Sequence, residues 1–158
     1  MQLDTIDLRI LDELQRDGAL SNVELARRVQ LSPSPCLARV KALETSGVID
    51  RYVALANAKA LGLGLNVFIS ISLTTQSKQS LADFEQRIAE HDEVMECYLM
   101  TGDSDYLLRI VVPDLEAYER FVMDFTKIAG IAQIRSSFAL RTVKQGAALP
   151  LAVTKTLG

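Results

Sequence analysis

Two short stretches hold the residues whose types and spacing can do chemistry. The first runs from Arg27 to Lys41. Arg27, Arg28, Arg39 and Lys41 are cationic, and the Ser32-Pro33-Ser34-Pro35-Cys36-Leu37-Ala38 run among them is uncharged and mostly small. Guanidinium and ammonium groups neutralise phosphate, and small side chains let a backbone approach a flat polar edge closely. The second stretch is Gly102-Asp103-Ser104-Asp105. Two carboxylates beside a glycine can hold an ammonium group while exposed backbone N–H groups take a carboxylate, which is the polar half of an amino-acid site. The same residues also suit an ordinary tight turn, and from this stretch alone the turn is the simpler reading.

Other reactive side chains give less. His91, the only histidine, lies between Glu90 and Asp92 at an expected helix end, where it can cap carbonyls and favour the dipole. Cys36 and Cys97 are far apart, with no Cys-x-x-Cys and no nearby histidine, so neither a zinc site nor a disulfide framework is indicated; both read as reduced and buried. No phosphate-binding loop, dinucleotide fingerprint, nucleophile elbow or His-Glu-x-x-His is present. A small enzyme would have to use Arg109, His91 or Asp105, and these form no nucleophile–base–orienter set in sequence.

The elements that must position these residues follow from the apolar periodicity. Leu3, Ile6, Ile10, Leu11 and Leu14 recur at helical spacing up to Asp17-Gly18, where a glycine can take the left-handed cap. Ser21-Asn22-Val23-Glu24 is a capping box that starts a second helix reaching Val29. Ser32-Pro33 supplies an N-cap and a proline suited to the first helical position, opening a third helix that ends near Ser46-Gly47. Two helices joined this tightly behind a supporting helix predict a helix-turn-helix. Cys36, Val40 and Leu43 face inward, so at about 100° per residue Ser34, Ala38, Lys41 and Thr45 face outward, with Arg39 and Ala42 on the flank. Such a face can enter a DNA major groove roughly 12 Å wide. A tri-helical protein-interaction domain fits the same pattern less well. Val48–Leu55 reads as a strand or short hairpin, and Gly62 and Gly64 mark a connection.

Beyond that connection, Val67, Ile69, Ile71 and Leu73 alternate with Phe68, Ser70, Ser72 and Thr74 as a strand with one apolar face. A helix lined by Leu81, Phe84 and Ile88 follows. Strands Val94–Thr101 and Tyr106–Val112 flank the Gly102 turn, a helix starts at Pro113-Asp114, and Ile131–Val143 is the last strand. The order βαββαβ predicts a ferredoxin-like sandwich with both helices on one sheet face. The other face mixes Phe and aliphatic residues with small polar ones, so a second subunit is expected to cover it. The fold class is α+β, with residues 1–60 as the helix-turn-helix domain and 61–158 as the βαββαβ domain.

Composition agrees. The 158 residues are 49% hydrophobic, with 17 Lys+Arg against 20 Asp+Glu and a net charge of -3. A disordered chain, a collagen-like fibre and a bulk polycation are excluded. The charge is segregated, however. Residues 1–26 carry two bases against six acids, residues 27–60 six bases against two acids, and residues 61–158 nine bases against twelve acids. The middle stretch, net +4, holds the candidate DNA face. No run approaches the about 18 consecutive apolar residues of a membrane span, and the acidic MQLDTID start lacks the basic residues of a leader, so a soluble cytoplasmic protein is expected.

Three segments together, Leu3-Asp4-x-x-Asp7-x-x-Ile10-Leu11-x-x-Leu14-Gln15-x-Asp17-Gly18, Ser21-Asn22-Val23-Glu24-Leu25 and Leu31-Ser32-Pro33-Ser34-Pro35-Cys36-Leu37-x-Arg39-Val40, resemble the leucine-responsive regulatory protein (Lrp/AsnC, feast/famine) family. Glu96-Cys97-x-Leu99, Gly102-Asp103-x-Asp105-Tyr106-Leu107-Leu108, Val112-Pro113-Asp114 and Tyr118 extend the resemblance over nearly the whole chain. The resemblance implies an N-terminal winged helix-turn-helix and a C-terminal domain that dimerises through its sheet and senses amino acids. It implies a transcription regulator rather than an enzyme, with no cofactor, no metal and an amino-acid effector. The implied partners are double-stranded DNA with palindromic operators, and further copies of the chain in dimers assembling to an octamer. The family's DNA-reading segment maps onto Ser32, Ser34, Pro35, Ala38, Arg39 and Lys41, with Arg27 and Arg28 as phosphate contacts. Its effector site, between dimers, maps onto Leu99, Thr101, Gly102, Asp103 and Asp105, with Ser136, Ser137, Phe138 and Ala139 from the last strand. An apolar effector such as leucine or methionine is expected from Leu99, Phe138 and Ala139. A sensor without DNA binding is the alternative, against which the intact capped helix-turn-helix stands.

Overall fold

The computed structural model describes residues 2–146 and 148–151. They form two compact units, one from the chain up to Leu55 together with the segment from Lys144, the other from Ala56–Val143. The division by contact therefore differs from the linear division at residue 60, because the tail belongs with the helical unit.

In the helical unit Asp4 caps α1 (Thr5–Arg16). Its Oδ1 accepts the N–H groups of Ile6 and Asp7, each at 2.8 Å, and the Asp7 carboxylate returns to the Asp4 N–H at 3.1 Å. The glycine cap expected at the other end does not form. The Asp17 side chain accepts the Ala19 N–H at 3.0 Å and turns the chain itself, so Gly18 stays out of the left-handed region, beside the Tyr52 ring. Only half of the expected Ser21 capping box is made at α2 (Asn22–Val29): Ser21 Oγ accepts from Glu24 N–H, but the Glu24 carboxylate turns to Arg27 and Arg28. Bonds to guanidinium are the stronger, since both partners are charged.

The connection to α3 (Pro33–Thr45) is made by Gln30 at φ +60°, with Leu31 N–H reaching back to the Ala26 carbonyl at 2.9 Å. Asn22 Nδ2 donates to the Pro33 carbonyl at 2.8 Å and so ties the first turns of α2 and α3 together. Ile10, Leu25, Ala26, Val29, Cys36 and Leu43 are buried at the centre, while Val40 of the expected inward stripe is only half-buried. Neither the strand nor the short hairpin expected over Val48–Leu55 forms. The Val48 and Ile49 N–H groups are both taken by the Leu43 carbonyl, which folds the chain back over the end of α3, and residues 51–57 pair with no strand among the described residues. The tail then returns: Gln15 Nε2 donates to the Leu149 carbonyl at 3.3 Å, Leu149 N–H donates to Gln15 Oε1 at 2.6 Å, and Leu151 packs on the helical core.

The second unit is a four-stranded antiparallel sheet, order β2-β3-β1-β4, built from β1 (Leu65–Leu73), β2 (Val94–Leu99), β3 (Tyr106–Val112) and β4 (Ile131–Phe138). With α4 (Lys78–Ile88) and α5 (Leu115–Phe125) it has the expected βαββαβ order. Val67, Ile69 and Ile71 from β1 and Tyr106, Leu108, Ile110 and Val112 from β3 form one core with Phe84 and Ile88 of α4 and Phe121 and Phe125 of α5. Both helices therefore cover the same sheet face. Leu115 is exposed in the first turn of α5, and Cys97, expected to be buried, is only partly so. The opposite face carries Phe68 and Tyr98 in solvent around a polar group in which Arg109 donates twice to Glu96 Oε1, at 2.9 and 2.8 Å, and the Tyr98 hydroxyl to Glu96 Oε2. The Arg109 guanidinium holds the Glu96 carboxyl below its usual range. β4 stops at Phe138 instead of running to Val143, because β1 begins at Leu65 and the Ala139 N–H makes its bond to the Asn66 carbonyl.

Candidate functional site

α3 presents Ser32, Ser34, Pro35, Ala38 and Lys41 in solvent. Ser32 takes the N-cap backbone conformation, but its side chain makes no capping bond, so the hydroxyl remains open to an outside partner. Lys41 is exposed and has no ion-pair partner among the described residues.

The arginines differ. Arg27 grips Glu24 through Nε and Nη2 at 2.9 and 2.7 Å, and Arg28 reaches both Glu24 at 2.8 Å and Glu13 at 3.0 Å. Between them, Arg27 first, they hold the Glu24 carboxyl down at about 2. Ion pairs this exposed are weak and exchange readily for another anion. Arg39 is held more firmly. Its Nη1 donates at 2.7 Å to Asp4 Oδ2 and at 2.7 Å to Asp7 Oδ1, and Asp7 is the one buried charged side chain among the described residues. Sequence reasoning placed Arg39 on the flank of the outward face but missed Asp4 and Asp7 as its partners. The signal was present in the Asp-x-x-Asp spacing, which leaves one oxygen of each carboxylate free after capping α1.

In the sheet unit, Leu99, Thr101, Gly102 and Asp105 line a cleft of about 360 Å³ together with Gln76, Leu81, Met100 and Ser104. Met100 N–H donates to the Asp105 carbonyl at 2.8 Å and closes the turn, in which Gly102 takes φ +113°. Asp105 is fixed inside it. Its N–H donates to the Ile71 carbonyl, its Oδ2 accepts Leu73 N–H at 2.7 Å, and its Oδ1 accepts Gln76 Nε2 at 2.6 Å. Ile71 and Tyr106 are the last residues paired between β1 and β3, so the Asp105 side chain carries that ladder one step further. Asp103 lies at the exposed tip, and its carboxylate has no hydrogen-bond partner among the described residues. The N–H groups of Thr101, Gly102, Asp103 and Ser104 likewise have no acceptor there.

The last-strand candidates lie elsewhere. Phe138 pairs with Val67, whereas the turn adjoins Ile71. Four residues of strand, about 13 Å, separate the two positions along β1. Alternation also divides the set: Ser136 and Phe138 point to the helix side, where Phe138 meets the Tyr118 ring at 4.9 Å, and Ser137 points to the other face. Within one chain, Ser136, Ser137, Phe138 and Ala139 do not line the cleft. Gln76, Leu81, Met100 and Ser104 were missed because Gln76 and Leu81 come from a polar connection and a helix face that carry no motif.

The residues considered for catalysis are dispersed. The His91 ring packs against Phe121 and Phe125 at 5.4 and 5.7 Å, Arg109 is bound to Glu96, and Asp105 is the turn's internal clamp. Among the described residues, no cluster of three or more His, Cys, Asp or Glu side chains could hold a metal ion, and no helix is long and apolar enough to cross a membrane.

Residues 3–50 match the winged helix-turn-helix DNA-binding family, and residues 66–149 match the Lrp/AsnC ligand binding domain. The Bkd operon transcriptional regulator of Pseudomonas aeruginosa is 46% identical over 151 residues, which span 95% of this chain and 99% of the relative. The leucine-responsive regulatory protein of Escherichia coli is 42% identical over 144 residues, covering 90% and 88%. A transcriptional regulator from Neisseria meningitidis, solved as an L-Met complex, superposes with a TM-score of 0.93 at 40% identity, covering 97% of this chain and 99% of that one. An AsnC family regulator from Agrobacterium tumefaciens gives 0.92 at 39%, covering 96% and 99%. With both halves matched in order, the chain belongs to the Lrp/AsnC family: it is a transcriptional regulator rather than an enzyme, joining a DNA-binding helix-turn-helix to a ligand-binding α+β domain.

Proposed function

We propose that this regulator responds to an apolar amino acid, leucine or methionine, held at the Gly102 turn. The observation that carries the reading is the cleft itself. Its size suits a small ligand, Leu81, Leu99 and Met100 offer an apolar wall, and the unpaired N–H groups of residues 101–104 can receive an α-carboxylate. Asp103, with its free carboxylate, is the better ammonium receptor, and Asp105 shapes the turn. A leucine-responsive regulator and an L-Met complex among the relatives support the ligand class.

The proposed DNA surface is Ser32, Ser34, Pro35, Ala38 and Lys41, with Arg27 and Arg28 contacting phosphates from the end of α2 and Arg39 on the flank. Residues 1–60 then act as the DNA-binding domain and 61–158 as the sensing and assembling one. Phe68 and Tyr98 on the uncovered sheet face favour a dimer through the sheets, and further assembly to an octamer would bring Ser136, Ser137, Phe138 and Ala139 of one copy to the cleft of another. A two-fold dimer reads palindromic half-sites about 34 Å apart. A cytoplasmic location fits this role.

Calorimetric titration of the full chain with each of the twenty amino acids tests the ligand. Leucine or methionine should bind, and Asp103→Asn should weaken binding at least tenfold. Tight binding of a charged amino acid only, or binding indifferent to both Asp103→Asn and Leu99→Ala, overturns the proposal.

A further inference from the structure

Arg39 lies on the helix that enters DNA, yet its charge is directed into the protein. Asp4 and Asp7 each divide their two oxygens between two tasks. Asp4 Oδ1 caps α1 and Asp4 Oδ2 takes Arg39; Asp7 Oδ2 takes the Asp4 N–H and Asp7 Oδ1 takes Arg39. The guanidinium therefore completes the α1 cap while fixing the middle of α3 to it, from partners 35 and 32 residues away in the chain. The Asp7 side chain is 9% exposed, that of Arg39 33% and that of Asp4 50%, so the Asp7 arm of the contact is shielded from the solvent that weakens the pairs at Arg27 and Arg28. Releasing Arg39 to a phosphate would leave Asp7 as a buried carboxylate without a counter-charge, one oxygen still on the Asp4 N–H and the other bare, a costly state.

We infer that Arg39 is a positioning residue, which sets the pose of α3 through Asp4 and Asp7, and that Lys41, not Arg39, is the phosphate-neutralising cation of this helix. The inference rests on α3 being the helix that meets DNA. It assigns a DNA-recognition role to two acidic side chains on a supporting helix, where charge alone would make them unfavourable to DNA binding.

The two roles differ in sign. If Arg39 touched phosphate, freeing it by Asp7→Asn would tighten DNA binding and steepen its dependence on salt, because one negative charge is lost and one cation released. As a positioning pair, Asp7→Asn should weaken binding despite removing a negative charge.

The test uses the full chain, a duplex that it selects from a random pool, and an unrelated duplex of equal length, with affinities measured by fluorescence anisotropy over a salt series. Expected for Arg39→Gln and for Asp7→Asn is a loss of tenfold or more in preference for the selected duplex, with the salt slope unchanged. Lys41→Ala should weaken both duplexes alike and lower the slope by about one. Should either single variant fail to fold by circular dichroism, Asp7→Asn/Arg39→Gln replaces the ion pair by a neutral amide pair and should keep more preference than a folded single variant, or than an Arg39→Ala control.

A salt slope lowered by about one in Arg39→Gln with both duplexes equally affected, tighter binding by Asp7→Asn, or a double variant no better than the worst single one overturns the assignment. If Lys41→Ala and Ser34→Ala change nothing on either duplex, it is the placement of α3 in DNA that fails, a distinct result.

Discussion

Gln76 Nε2 and Asp105 Oδ1 lie 2.6 Å apart, joining the polar segment after β1 to the turn between β2 and β3. With Leu73 N–H on the other oxygen, the Asp105 carboxylate is a structural fastener at the edge of the proposed ligand cleft. Asp105→Ala leaves the part-buried Leu73 N–H without its acceptor and should cost about 1–3 kcal/mol. Thermal melting reads this loss. Asp103→Asn, at the exposed tip, should leave the melting temperature unchanged while lowering ligand affinity in calorimetry. An equal loss of stability in both variants contradicts the division of roles.

Gly102 makes the turn possible through its conformation and not its size. A Cβ there would meet nothing within 4 Å, but φ +113° is a region that side-chain-bearing residues rarely adopt. Gly102→Ala is expected to cost about 1–3 kcal/mol and to weaken ligand binding as the turn shifts. Urea denaturation measures the first effect; an unchanged midpoint means that alanine is tolerated.

Gln30 is the complementary case, a side chain held at φ +60° where the helix-turn-helix turns. The left-handed conformation costs an L-residue roughly 1–2 kcal/mol, partly balanced by the chain entropy that glycine loses on folding. Gln30→Gly should therefore be neutral to stabilising by up to about 1 kcal/mol, and Gln30→Val destabilising by more than that. Chemical denaturation of the three proteins side by side orders them.

Glu24 gives acid sensitivity to α2. Arg27 and Arg28 hold its carboxyl at about 2 against an ordinary 4.5. A lowered pKa means that the ion pairs stabilise the fold above the unfolded value of 4.5 and are lost as the pH falls from there toward about 2. In Glu24→Gln the fall in melting temperature across that window should be shallower than in the unmodified chain, with the difference vanishing at the acid end. Parallel curves would show that the pairs add nothing.

Much of the fold was legible because the apolar periods are unbroken. Val67, Ile69 and Ile71 alternate cleanly and Ile10, Leu25, Cys36 and Leu43 fall at helical spacing, and each became core. Val48–Leu55 has the β-branched and aromatic residues of a strand, but a strand needs a partner ladder, and none lies among the described residues of the helical unit. The cleft was legible at Leu99, Thr101, Gly102 and Asp105, which lie on or beside the turn motif, and illegible where Gln76 and Leu81 join it from other elements. The last strand is a different case. A resemblance transfers residues without saying which copy of the chain supplies them, and strand alternation sends Ser137 away from Ser136 and Phe138. At Arg39 residue type was correctly read as cationic, but the counter-charges lie on another helix, beyond the reach of local pattern.

The hydrogen bonds between Gln15 and Leu149 make the sheet unit an insertion. Residues 56–143 interrupt the helical unit, whose chain leaves at Leu55 and returns at Lys144. A gene fragment cut at the linker would thus encode an incomplete DNA-binding unit, lacking the tail backbone that Gln15 binds and the Leu151 side chain that covers its core. Permuting the chain so that Leu149 and Leu151 precede residue 2 would keep the helical unit in one uninterrupted stretch of sequence.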